Sequence, residues 1–253
     1  MTIKVEPNLI RYILQWADNS MILGQRLGEW CGHGPVLEQD IAITNIALDL
    51  IGEARNLYQY AARLEINKSE DYYPFLRKER EFFNVQLVEL PNRDFAYTIV
   101  RQFLYDVFHI HFLQQMVESN DKDLAAIAAK SIKEVQYHLD YSTDWLIRLG
   151  DGTVESHQKM QKALNDYYPW SDEFFIPSDA DLWAFQNIGG PDLEKMRTEV
   201  NNYRIMNIEK ATLQLPEQKY AQRGGKGGIH TEHMGYILAD LQYMQRTYPG
   251  VQW

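Results

Sequence analysis

Helical periodicity constrains this chain more than any other feature. From Asn8 to Trp30, the apolar residues Leu9, Ile13, Trp16, Ala17, Ile22, Leu23, Leu27 and Trp30 return mostly in steps of three and four. That spacing lines one face of an α-helix. A second helix is expected from Pro35 to Leu64, with Ile41, Leu48, Ile51, Ala54, Leu57 and Ala61 on its apolar face. Proline suits its first turn because the missing N–H has no partner there. A third helix runs from near Asp94 to about Ser119. The stretch SNDKD then offers N-caps to a fourth, Leu124 to Leu149, which stops at GDG. A fifth spans Val154 to about Tyr168. Residues 169–190, rich in Pro, Asp and Gly, read as irregular. A sixth helix opens at Pro191 and ends before Pro216, and a last one runs from near Thr231 to before Pro249.

Strand signals are weak. The Asp-Gly pair at 151–152 joins two helical patterns rather than two alternating runs. There is no short repeat and no low-complexity linker, so residues 1–253 read as one all-α domain, a helical bundle with antiparallel neighbours.

With 45% apolar and 24% charged residues, the chain is of globular composition. Its net charge of −10, without a basic block, argues against nucleic acid and against an anionic membrane surface. No uncharged apolar run reaches the ~18–20 residues of a membrane span. The opening MTIKVEPNLI has neither the basic nor the apolar part of a leader, and a cytoplasmic location is expected. The lone Cys31 excludes an internal disulfide or a cysteine-rich metal site, and its apolar setting predicts a buried side chain.

One constellation raises the question of chemistry. A carboxylate-bridged di-iron site in a helical bundle takes one Glu from each of two helices and Glu-x-x-His from two others. Here the second helix offers Asp49 and Glu53, the third Asp106-x-x-His109, and the fourth Glu134 and His138 at i,i+4. The set is incomplete. Asp stands where Glu is expected at 106, and Val135 lies three residues before His138. The fifth helix has Glu155, His157 and Asp166, with no carboxylate three or four residues before a histidine; the sixth has Glu199 and Glu209 and no histidine. The favoured reading is a buried polar network in which Asp106, His109, Glu134 and His138 satisfy one another, joined by Arg55 or Arg101, because buried charges persist only when paired. The alternatives are a working di-iron centre, making the chain a self-sufficient di-iron oxidase or iron-storage protein through Asp106/His109 and Glu134/His138, or side chains that simply face solvent.

Several longer strings carry a resemblance. GQRLGEWCGHGP, IALDLIGEARN, KEVQYHL, DGT and RGGKGGIHTEHMGYILADLQYMQR follow one another in the order found in the C-type subunits of bacterial phenylacetyl-CoA 1,2-epoxidases, and the likeness extends from about Leu9 to Trp253. The resemblance implies a ferritin-like helical bundle with extra N- and C-terminal helices. It also implies a division of labour within a ring-epoxidising monooxygenase complex of phenylacetate degradation. A paralogous subunit holds the di-iron centre and binds the acyl-CoA. The C-type subunit has lost the iron ligands and stabilises that paralogue in a tight heterodimer. A small coupling subunit and a flavin (FAD) and iron–sulfur reductase, fed by NADPH, complete the system, which inserts one oxygen atom of O2 across the aromatic ring. On this reading the chain holds no catalytic, cofactor or metal residue of its own. Asp49, Glu53, Asp106, His109, Glu134 and His138 are then the candidates for a vestigial site, and the isolated chain is open to homodimer formation.

Other stretches invite weaker readings. QRGGKGGIHTEHMG, residues 222–235, has the glycines of a phosphate-binding loop, with Lys226 and Arg223 for charge, but lacks the Gly-Lys-Ser/Thr pattern and a preceding strand. A turn into the last helix, or a contact with a partner subunit, is expected instead, with His230 and His233 as ordinary helix-entry residues. In residues 71–84, Phe75, Phe82 and Phe83 are expected in core or interface. The aromatic share of 13%, including 16 Tyr and 6 Trp, supports a protein partner without identifying it.

Overall fold

A computed structural model describes residues 6–217 and 221–251. The leader reading falls in part on residues 1–5, which lie outside the described residues. Among the described residues the chain is helical, without strands. The helices are α1 (Pro7–Gly28), α2 (Leu37–Leu64), the single turn α3 (Tyr72–Phe75), α4 (Phe95–Met116), α5 (Lys122–Gly150), α6 (Val154–Tyr167), α7 (Asp179–Ile188), α8 (Leu193–Lys210) and α9 (Glu232–Thr247). Short 3₁₀ turns lie at Glu79–Glu81, Gln86–Glu89, Tyr168–Phe175 and Gly225–Gly227. The chain forms two compact units. One comprises the described parts of Met1–Leu90 and Gly224–Trp253 together with Ser178–Ala184; the other comprises Pro91–Pro177 and Phe185–Arg223.

In the first unit α1 and α2 pack along their length. Gly24 makes their approach possible: a Cβ there would meet Ile51 Cγ1 at 2.9 Å and Ala47 O at 3.1 Å. Ile13, Ile22, Leu23 and Leu27 of α1 are fully buried, as are Ala54, Leu57 and Ala61 of α2. Each such Leu or Ile contributes roughly 1.5–3 kcal/mol by leaving water. A buried ion pair ties α1 to the segment after α3. Arg77 reaches both oxygens of Asp18, and Tyr58 Oη donates to Asp18 Oδ1 at 2.7 Å. Gln242 of α9 donates to Pro74 O and Arg77 O, both at 2.9 Å, and fixes the last helix to the same segment.

The second unit is built round α4, which packs on α5, α6 and α8. Asp94 caps α4, its Oδ1 accepting from Tyr97 N at 3.1 Å. Residues 96–110 of α4 are buried without interruption, as expected of a helix that is apolar all round. That placement draws Arg101, Gln102, Asp106 and His109 into the interior.

Four expectations need correction. Residues 169–190 are not irregular: Tyr168–Phe175 is a 3₁₀ turn and Asp179–Ile188 is helix. That helix opens on a reciprocal cap, with Ser178 N donating to Asp181 Oδ2 at 2.8 Å and Asp181 N to Ser178 Oγ at 3.2 Å. The two prolines sit before their helices rather than in the first turn. Asp40 reaches back to accept from Gly34 N at 2.8 Å, so α2 starts only at Leu37, and Asp192 caps α8 after Pro191. Ile41 and Leu48 are exposed, because the buried side of α2 is set by Ile43, Ile46, Leu50 and Leu57. Cys31 is exposed, because α1 ends at Gly28 and the cysteine falls in the turn beyond it.

Candidate functional site

The second unit holds a buried cluster around Asp106. The Asp106 side chain is fully buried on α4. Its Oδ1 accepts from Gln102 Nε2, one turn earlier, at 2.7 Å, and its Oδ2 accepts from Ser142 Oγ of α5 at 2.7 Å. Burial raises the Asp106 pKa to about 6, and His138, Ser142, Gln102 and His109 hold it from rising further. His109 and His138 are both buried, and the His109 ring lies 4.9 Å from that of Tyr105. Glu134 is half-buried and Val135 fully so, so the expected Glu134/His138 pair sits at two depths on α5. Arg101 is fully buried and its Nη2 donates to Asn92 Oδ1 at 2.6 Å. Arg55 takes no part in such a network: it is a surface side chain whose Nε donates to Glu70 Oε1 at 2.9 Å.

In the first unit Glu53 is buried on α2, and its Oε1 accepts from Trp16 Nε1 at 2.9 Å and Ser20 Oγ at 2.6 Å. Asp49, one turn earlier, is half-buried. Trp16, Ser20, Gln102 and Ser142 lie outside the set of site residues that the sequence suggests. Only the i,i+4 spacing of Gln102 to Asp106 and of His138 to Ser142 signals them there.

A pair of irons needs bridging carboxylates with lone pairs to spare. Here both oxygens of Asp106 and one of Glu53 already accept from neutral side chains of the same unit. Among the described residues, no three His, Cys, Asp or Glu side chains group as a metal-holding set. This donor set does not fit a di-iron group.

The glycine-rich segment before α9 is a packing device within the first unit. A Cβ on Gly225 would lie 2.1 Å from Asn84 O, and one on Gly228, at φ 76°, would lie 2.5 Å from Arg80 O. Lys226 Nζ pairs with Asp181 Oδ2 at 3.0 Å, so its charge is committed. His230 is not an ordinary helix-entry residue. Its side chain is buried, with Nδ1 2.6 Å from Glu89 Oε1 and Nε2 3.0 Å from Phe82 O. Burial pulls its pKa down, but the hydrogen bond and charge of Glu89 outweigh this and hold it above the ordinary histidine value. Glu89 Oε2 also accepts from Thr231 N and Oγ1, both at 2.7 Å, and so anchors the start of α9.

An all-α chain whose long interior helix carries Asp-x-x-His among buried polar partners has the features of a ferritin-like helical protein. The chain belongs to the phenylacetic acid catabolic protein family, whose model matches residues 1–253 and whose fold is a ferritin-like helical bundle. It is 46% identical over 245 residues to the C-type subunit of the 1,2-phenylacetyl-CoA epoxidase of Escherichia coli (strain K12), a match covering 97% of this chain and 99% of that protein. No helix among the described residues is long and apolar enough to cross a membrane.

Proposed function

We propose that this chain is a structural, metal-free subunit of a cytoplasmic phenylacetyl-CoA 1,2-epoxidase. It braces the paralogous di-iron subunit in aerobic phenylacetate degradation. Its partners are that catalytic subunit, a small coupling subunit and an NADPH-dependent reductase. The observation that carries this reading is the state of the two buried carboxylates. Gln102 and Ser142 occupy Asp106, and Trp16 and Ser20 occupy Glu53. Neutral donors of this kind hold a helical interior together and leave few lone pairs for metal. The extended similarity to an epoxidase subunit supplies the reaction and the partners.

Two measurements on the purified chain test the reading. Metal analysis is expected to find far less than one iron per chain, and co-expression with the catalytic subunit is expected to give a stable complex. Near-stoichiometric iron that disappears in His109→Ala or His138→Ala would instead identify a self-sufficient di-iron oxidase or iron-storage protein. Failure of the two proteins to co-purify would remove the bracing role.

A further inference from the structure

We infer that the outward face of α9 and the cavity at its C-terminal end form a protein-docking surface on the first unit, built to receive a basic side chain set among apolar neighbours. The occupant is a surface segment of the catalytic subunit that presents an arginine or lysine, and to that extent the inference rests on the subunit role proposed above.

The cavity has a volume of about 680 Å³, and its lining includes Asp71, Phe75, Leu76, Gln245, Tyr248 and Val251. Its walls are thus largely aromatic and aliphatic. The Asp71 carboxylate is exposed and makes no side-chain cap on α3, and among the described residues neither it nor the Gln245 amide holds a hydrogen bond or ion pair. The cavity lies where α9 ends at Thr247, and the last carbonyls of a helix carry negative partial charge. The neighbouring Arg246 does not neutralise it, because its guanidinium is turned onto the carbonyl oxygens of Phe75, Leu76 and Arg77, at 3.4, 3.5 and 3.0 Å. A carboxylate without a counter-ion at a negative helix end, walled by Phe75 and Tyr248, has a cation as its complement.

A metal ion does not suit this place, since one carboxylate supplies too few oxygens for a hard divalent cation. The surroundings favour a protein. Tyr236 and Tyr243, two turns apart on α9, are 72% and 60% exposed, with Met244 beside them. Tyr and Met, enriched at protein interfaces, continue the apolar wall of the cavity along the helix, and a basic anchor at its end fits the same composition. Leu76 and Tyr248 stand half-exposed at the cavity itself.

The test is calorimetric titration of this chain with the catalytic subunit at low and high salt. The wild-type affinity is compared with those of Asp71→Asn, Tyr243→Ala and, as a control at an exposed acid of the other unit, Asp151→Asn. Asp71 and Tyr243 are surface side chains, and circular dichroism verifies that each variant keeps its helices. Asp71→Asn is expected to weaken binding about tenfold at low salt and to flatten the salt dependence, and Tyr243→Ala to weaken it about tenfold at either salt, with the control unchanged. Wild-type affinity in both Asp71→Asn and Tyr243→Ala would overturn this surface while leaving the subunit role intact. No binding by the wild-type chain would overturn the subunit role, and this docking surface with it.

Discussion

Ser142 Oγ donates to Asp106 Oδ2 at 2.7 Å, from a position one turn of α5 beyond His138. With Gln102 on the other oxygen, the carboxylate is held by neutral partners in a fully buried setting. The cost of that setting is borne by the charged form.

Asp106→Asn tests this cost through pH. Burial raises the Asp106 pKa from 3.8 to about 6 in the folded chain. For a group raised on folding, the stability contribution is fully present below the unfolded value and is lost as pH rises through the folded one. At ~1.4 kcal/mol per pH unit the wild type loses on the order of 3 kcal/mol from this group between roughly pH 4 and 7. The asparagine variant does not titrate. Its stability relative to wild type is therefore expected to rise across that window, as read from urea midpoints at pH 4, 5, 6 and 7. A constant difference across the four would show that Asp106 is not buried among neutral donors.

Glu53 is a companion test in the first unit. Glu53→Ala removes the acceptor that Trp16 Nε1 and Ser20 Oγ share. Each buried donor left without it costs about 1–3 kcal/mol. Glu53→Gln keeps one carbonyl oxygen and is expected to cost less than half as much. Thermal unfolding ranks the variants, and Trp16 emission is expected to shift in the alanine variant.

The features legible in the sequence were local ones. Asp94, Asp121 and Thr231 cap α4, α5 and α9 as their sequence context suggests, because a cap is decided within three residues of the chain. Ser178 and Asp181 carried the same kind of signal for α7, but Pro177, Gly189 and Gly190 around them read as loop. On α2 two apolar stripes compete, and the chain alone does not say that Ile43, Ile46 and Leu50 face the core while Ile41 and Leu48 do not. The candidate site was legible in its ionisable members, Asp106, His109 and His138. Its neutral members were not, since a Gln, a Ser or a Trp gains meaning only when packing aims it at a buried carboxylate.

Glycine substitutions before α9 separate packing from ligand binding. Gly225→Ala would drive a methyl group to 2.1 Å from Asn84 O, a contact that backbone must move to relieve. A loss of stability above about 2 kcal/mol is expected, in the range of overpacking. Gly227→Ala, two residues on, meets nothing within 4 Å and is expected to be neutral. Equal melting temperatures for the two variants would show that the segment does not lie against residues 80–86.

The latch between His230 and Glu89 adds a second pH window. The His230 pKa stands above the ordinary histidine value of 6.5. The pair therefore contributes fully below that value, and its contribution is lost as pH rises through the raised one. Both ring nitrogens face acceptors, Glu89 Oε1 and Phe82 O, so loss of the proton leaves one of these contacts without a hydrogen. His230→Gln retains a side-chain donor and does not titrate. Wild type is expected to lose stability on the alkaline side of neutrality in a step that the variant lacks, with amide exchange at Thr231 and along the first turn of α9 quickening over the same range. A parallel decline in both proteins, or unchanged exchange at Thr231, would mean that His230 does not hold α9 in place as an imidazolium.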